Sequence, residues 1–179
     1  MIPLVTLTRD FLQASKVDTI GYGAKDTGEM GGGAAAAVLA AAGPEILTSL
    51  RSKMAGTSLR VGSVVVTPSF KLKAEGIGWV LHIISIIKNT PDGAYCPQPE
   101  RLREGVINAL KSAAELGAHS LALSALGTGE GRVEPRIAAG YMLDGVRAFR
   151  KHEVRAELAV TFCLPSYRDY EAFKSVYSS

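Results

Sequence analysis

Two glycine-rich turns, Gly28-Glu29-Met30-Gly31-Gly32-Gly33-Ala34 and Leu126-Gly127-Thr128-Gly129-Glu130-Gly131-Arg132, each stand between an apolar run and a helical pattern. In open α/β sheets the crevice beyond the carboxyl ends of the strands is where ligands sit, and a glycine-rich turn between a strand and a helix stands at such a place. Consecutive glycines leave the backbone N–H groups unobstructed, and at the start of a helix the unsatisfied amides and the dipole together favour an anion. A single turn of this kind is equally well a flexible connection. Two of them at neighbouring strand ends suit the two phosphates of a diphosphate. No lysine follows the glycines as a P-loop requires, and no acidic residue lies about twenty positions beyond a fingerprint early in a βαβ unit. These spacings disfavour an ordinary P-loop kinase or Rossmann dehydrogenase.

The rest of the chain alternates in the same way. Runs rich in Val, Ile and Leu at Leu4–Leu7, Val17–Tyr22, Val61–Thr67, Trp79–Ile87, Ser120–Leu126 and Leu158–Leu164 suit strands covered on both faces. Between them, Leu102, Val106, Leu110, Ala113 and Leu116 recur at helical spacing, with Gly117 as a stop. Ile137, Tyr141, Met142, Val146 and Phe149 do the same after Pro135. Ala34–Ala42 reads as an alanine-rich helix ended at Gly43, with Pro44 opening another. The expectation is an α/β fold, a three-layer α/β/α sandwich around a mixed, mostly parallel sheet of about six strands.

At 179 residues, with 47% apolar and 21% charged side chains, residues 1–179 read as one domain. A chain of this size buries roughly 70% of its unfolded surface and needs no disulfide or metal staple. Cys163 lies in an apolar run and reads as a core thiol, Cys96 in a polar loop; neither has metal-ligand spacing, and no metal or cofactor is expected. His82 within an apolar strand reads as a buried, hydrogen-bonded histidine, and His119 and His152 as surface residues. No segment reaches the length of a membrane span and no leader pattern opens the chain, so the expected location is cytoplasmic. The net charge of +3 is mild, and the basic run Arg147-Ala148-Phe149-Arg150-Lys151-His152 suits the carboxyl end of a helix. Nucleic acid as the main partner is therefore not favoured.

Taken in order, these segments resemble the macro-domain family over nearly the whole chain. Arg9-Asp10-Phe11 is similar to the family's early turn, Val17-Asp18-Thr19-Ile20 to the strand before the first loop, and Gly31-Gly32-Gly33-Ala34 with Ala41-Ala42-Gly43-Pro44-Glu45 to that loop and its helix. Trp79-Val80-Leu81-His82 is similar to the central strand, Ala125-Leu126-Gly127-Thr128-Gly129 to the second phosphate loop, and Phe162–Tyr170 to the last strand and its turn. The resemblance implies a pocket for ADP-ribose. Asp10 would accept a hydrogen bond from the adenine amino group with the Phe11 backbone nearby, Gly31, Gly32, Gly33 and Ala34 would lie against the diphosphate and distal ribose, and Gly127, Thr128, Gly129, Glu130, Gly131 and Arg132 would close the other side.

The chain also departs from the family. Hydrolytic members carry an Asn-Ala-Ala-Asn stretch whose last asparagine orients the distal ribose; here the stretch is Tyr22-Gly23-Ala24-Lys25. A protonated lysine donates but cannot accept. An acidic residue that some members place after the glycines is Ala35, and the aromatic that covers the adenine falls at Pro165, with Tyr167 two positions on as a substitute. The second loop has no aromatic near Gly131. The first expectation is thus a reader of ADP-ribose or a related nucleotide, free or attached to protein or nucleic acid. An alternative is an ADP-ribosyl hydrolase or O-acetyl-ADP-ribose deacetylase that works through Lys25, Asp26, Lys88 or Glu130; a further one is an RNA or poly-ADP-ribose binder. A lysine nucleophile would need a depressed pKa.

Overall fold

The computed structural model describes residues 5–88, 98–153 and 157–179. Among these residues six strands form one sheet: β1 (Thr6–Thr8), β2 (Thr19–Lys25), β3 (Val64–Pro68), β4 (Trp79–Ile86), β5 (Ser120–Ser124) and β6 (Ala159–Cys163). Their spatial order is β1-β6-β5-β2-β4-β3, parallel throughout except for β3, which runs antiparallel to β4 at one edge. Among the described residues there are also five α-helices, α1 (Gly33–Ala42), α2 (Glu45–Met54), α3 (Leu102–Glu115), α4 (Pro135–His152) and α5 (Tyr167–Tyr177), with three short 3-10 turns between elements. The mostly parallel mixed sheet between helices is the architecture expected from the alternation of segments.

Strand β4 shows why the sheet needs two covering layers. Residues Val80–Ile86 are all buried. Leu81 and Ile83 pack into the cluster that holds Val106 and Leu110 of α3 and Met142 and Val146 of α4, whereas Val80 and Ile84 join Val38 of α1 and Ile46 and Leu50 of α2. Alternate side chains of a strand point to opposite faces, so a strand apolar at both parities is stable only with helices on both sides. Each fully buried Leu or Ile in these layers contributes about 1.5–3 kcal/mol of transfer free energy.

The local signals explain most element ends. Gly43 adopts φ 92° at the end of α1 and its N–H reaches the Leu39 carbonyl at 2.9 Å, a conformation that a side chain would strain. Pro44 then caps α2. Pro135 opens α4 and the Glu134 carboxylate accepts from the Ile137 N–H at 3.1 Å. Arg150, Lys151 and His152 occupy the last turn of α4, where the helix dipole favours cations.

Several boundaries differ from the sequence reading, with β2 running to Lys25 and β3 starting at Val64, and one element differs in kind. The stretch after β6 is not only a turn: Ser166 caps α5, with its hydroxyl accepting from the Asp169 N–H, and Phe173 of that helix is fully buried against Phe162 of β6, the ring centroids 5.2 Å apart. Tyr170, Phe173 and Tyr177 recur at helical spacing, but the pattern is short and its exposed face is as polar as a loop. Burial of Phe173 decides the outcome. The strand expected from Leu4 begins at Thr6, and Leu4 and Cys96 lie outside the described residues. Cys163 is buried, and burial pushes its thiol up to about 11. Among the described residues no single helix is long and apolar enough to cross a membrane.

Candidate functional site

Because β5 pairs directly with β2, the turns that follow these two strands lie side by side at the carboxyl edge of the sheet. A cleft opens between them. Its walls are Lys25, Glu29, Gly31, Gly32, Gly33, Ala34 and Ala35 in and beside the first turn and Ser124, Ala125, Gly127, Gly129 and Glu130 in and beside the second, and Gly23, Ser85 and Ile86 complete the lining.

Small residues make this space. A Cβ on Gly23 would lie 2.7 Å from Ser85 Oγ, so any side chain there would crowd the floor of the cleft, while the Gly127 nitrogen, at 3.6 Å, is at ordinary contact distance. Gly31 and Gly33 have nothing within 4 Å of such a position, and α1 begins at Gly33 with no side chain capping its first amides. Those orphan donors face the space above the helix, the arrangement that suits an anion.

The second turn is held from behind. The Val133 N–H reaches the Gly127 carbonyl and the Arg132 N–H the Gly129 carbonyl, both at 3.0 Å. A Cβ on Gly131 would meet the Gly127 oxygen at 2.6 Å, so this glycine permits the turn to fold on itself. Arg132 sits at φ 52°, a left-handed conformation uncommon outside glycine. Thr128 Oγ1 donates to Asp169 Oδ2 at 3.2 Å, which ties the turn to the first turn of α5.

Charge gathers at one end of the cleft. Lys25 Nζ lies 2.8 Å from Glu130 Oε2 and 3.4 Å from Glu29 Oε2, and Lys88 Nζ lies 3.3 Å from the same Glu29 oxygen. The hydrogen bond to Glu130 is the main cause that holds the Lys25 ammonium above its ordinary pKa, with Glu29 adding to it. Hydrogen bonds from Lys88 and then Lys25 hold Glu29 below the usual carboxylate range. The direction at Lys25 is opposite to the one that a lysine nucleophile needs.

Of the residues singled out in the sequence, Lys25, Gly31, Gly32, Gly33, Ala34, Gly127, Gly129 and Glu130 meet around the cleft. Asp26 and Lys88 do not line it, though the Lys88 ammonium reaches Glu29 on its wall: the Lys88 N–H donates to Asp26 Oδ1 at 2.7 Å and the Asp26 N–H to the Ile86 carbonyl at 3.2 Å, a clamp between the ends of β2 and β4. Thr128, Gly131 and Arg132 shape the second turn without lining the space. Asp10, Phe11 and Pro165 stand apart from it, at the carboxyl ends of β1 and β6. There Thr8 Oγ1 donates to Asp10 Oδ2 at 2.7 Å, Arg9 donates to the Pro165 carbonyl at 3.2 Å, and the Arg9 guanidinium lies 5.7 Å from the centre of the Tyr167 ring. Phe11 and Tyr167 are 58% and 65% exposed, so two aromatic faces are open to solvent at this end.

The sequence reading passed over Gly23, Glu29, Ser85 and Ser124. A serine near the carboxyl end of an otherwise apolar strand was the available signal, since Ser85 and Ser124 are the buried polar residues at the ends of β4 and β5.

The comparisons with known proteins show the family to which this fold belongs. The family model described as Macro domain matches residues 23–142, which include both turns. An uncharacterized protein of Pyrobaculum aerophilum is 32% identical over 176 residues, 95% of this chain and 91% of its own length. A macro domain-containing protein of Streptomyces griseus is 32% identical over 130 residues, 71% of this chain and 70% of its own. Among solved structures, the Oceanobacillus iheyensis macrodomain with ADP superposes with a TM-score of 0.82 at 25% identity, covering 96% of this chain and 88% of that one. The Trypanosoma brucei macrodomain in complex with ADP-ribose gives 0.79 at 22% identity over 97% of this chain and 68% of that one, a likeness of fold. The chain belongs to the macro domain family.

Proposed function

We propose that the chain binds ADP-ribose, or a related metabolite that keeps the adenosine diphosphate-ribose frame, in the cleft between its two glycine-rich turns, and that it acts as a reader with little or no hydrolysis. The observation that carries this reading is the pairing of bare glycine amides on both sides of one cleft with a wall lysine held as an ammonium ion. Amides and an ammonium suit a diphosphate; a protonated Lys25 does not suit the role of base or nucleophile. The similar Oceanobacillus iheyensis macrodomain was solved with ADP, which supports the same ligand class here. In this reading Asp10 and the Phe11 backbone meet the adenine, Pro165 and the Tyr167 ring flank it, Gly31–Ala34 and Gly127–Arg132 hold the diphosphate and distal ribose, and the nucleotide is free or attached to protein or nucleic acid.

The test is calorimetry with ADP-ribose, followed by turnover of ADP-ribosylated protein and nucleic acid. Saturable binding with no more than slow release of ADP-ribose is expected. No heat and no thermal shift at millimolar ligand would refute the pocket. Efficient turnover that disappears in Lys25→Ala would make the protein a hydrolase with Lys25 as a working group and Glu130 as its acid–base partner.

A further inference from the structure

Glu130 occupies an unusual place for a carboxylate. Its Oε2 is 2.8 Å from the Lys25 ammonium, and its Oε1 is 3.5 Å from where a Cβ on Gly32 would stand. The side chain thus leaves the second turn, crosses the mouth of the cleft and lies beside the glycines at the start of α1. That is where a helix N-terminus and bare amides attract an anion. Lys25 is held in place: it ends β2 at an irregularity in the β2–β4 register, and its side chain is only 13% exposed.

From this geometry we infer that Glu130 is a built-in competitor for the phosphate site, a carboxylate that stands in for the ligand's anion on Lys25 and latches the two turns together until a phosphate displaces it. The inference rests on the proposed ligand class and adds to it a regulated, exchange-type mode of binding. Loss of the Lys25–Glu130 pair accompanies binding, so Glu130 lowers the affinity for phosphate ligands and slows their association. A partly exposed ion pair of this kind corresponds to a change of about two- to fivefold in a binding constant.

The test compares wild type, Glu130→Gln and Glu130→Ala by calorimetry and stopped flow with ADP-ribose, ADP and inorganic pyrophosphate, at low and at physiological salt. Both variants are expected to bind all three about two- to fivefold more tightly, mainly through faster association, and to lose more affinity on adding salt than wild type does, because in wild type salt weakens the latch as well as the ligand contact. Thermal melts establish that the variants fold. Equal or weaker binding by both folded variants overturns the latch and leaves the nucleotide reading standing. Tighter pyrophosphate binding by the variants with no ADP-ribose binding by any form keeps the latch and overturns the nucleotide reading. Absence of binding by every form with every probe overturns both.

Discussion

The hydroxyl of Thr128, in the second glycine-rich turn, donates to the carboxylate of Asp169, in the first turn of α5, at 3.2 Å. Desolvation raises the Asp169 pKa, and the Thr128 hydrogen bond works against that rise. The carboxyl-terminal helix is thereby a support of the cleft as well as a cover for the sheet. Asp169→Ala is expected to lower stability by about 1 kcal/mol, roughly 2–4 °C in melting temperature, and to weaken ADP-ribose binding by loosening the turn. Asp169→Asn keeps an acceptor for Thr128 and is expected to keep most of the affinity. Melts and calorimetry on the two variants check this; equal losses in both would show that the charge, not the hydrogen bond, matters.

His82 sits in a second polar network that the cleft does not use. Its Nδ1 lies 2.6 Å from the Tyr22 hydroxyl and its Nε2 2.9 Å from Thr67 Oγ1, and all three residues are fully buried. Burial pushes its pKa down to about 3 from the ordinary 6.5. Between about pH 6.5 and pH 3 the histidine of the unfolded chain takes up a proton while buried His82 stays neutral, so the stability tied to it is complete above about pH 6.5 and is lost progressively toward pH 3. The slope from this one group is at most about 1.4 kcal/mol per pH unit. His82→Leu is expected to cost about 1–3 kcal/mol at neutral pH, by stranding the Tyr22 and Thr67 hydroxyls, and to flatten the acid limb. Denaturant midpoints from pH 7 to pH 4 test both; an unchanged slope in the variant would remove His82 from the acid response.

Gly32→Val separates folding from binding. Gly32 has an extended backbone, φ −155°, which any residue adopts, and a Cβ there would sit at ordinary contact distance from Glu130 Oε1. The variant is therefore expected to melt close to wild type while showing no thermal shift with ADP-ribose, because the side chain projects into the mouth of the cleft. Retained binding by the folded variant would place the ligand elsewhere.

Asp10→Ala addresses the adenine end. Loss of about tenfold in ADP-ribose affinity is expected, the order of one hydrogen bond to a charged group, with ribose 5-phosphate binding nearly unchanged. Parallel titrations with the two ligands decide it, and a matching loss for both would make Asp10 structural, through its bond from Thr8.

The sequence by itself determined what depends on near neighbours in the chain. The alternation of apolar runs with helical spacing, the glycine and proline stops at Gly43, Pro44 and Pro135, and the bare glycine turns follow from local backbone preferences and side-chain periodicity, and each is found where the residues indicate. Lys25 was legible as a charge in place of an amide. Its carboxylate partner was not, because Glu130 comes from a distant part of the chain. Only the tertiary structure decided that β5 lies next to β2, and this one adjacency brings the two turns together, sets Glu130 across the cleft and lets a carboxylate meet Lys25. The same holds for α5, a weak local pattern made a helix by the burial of Phe173, and for Asp169, which reaches Thr128 only because that helix packs there. Strand order is set by the burial of both sheet faces summed over the whole core, and no short stretch of residues carries that sum.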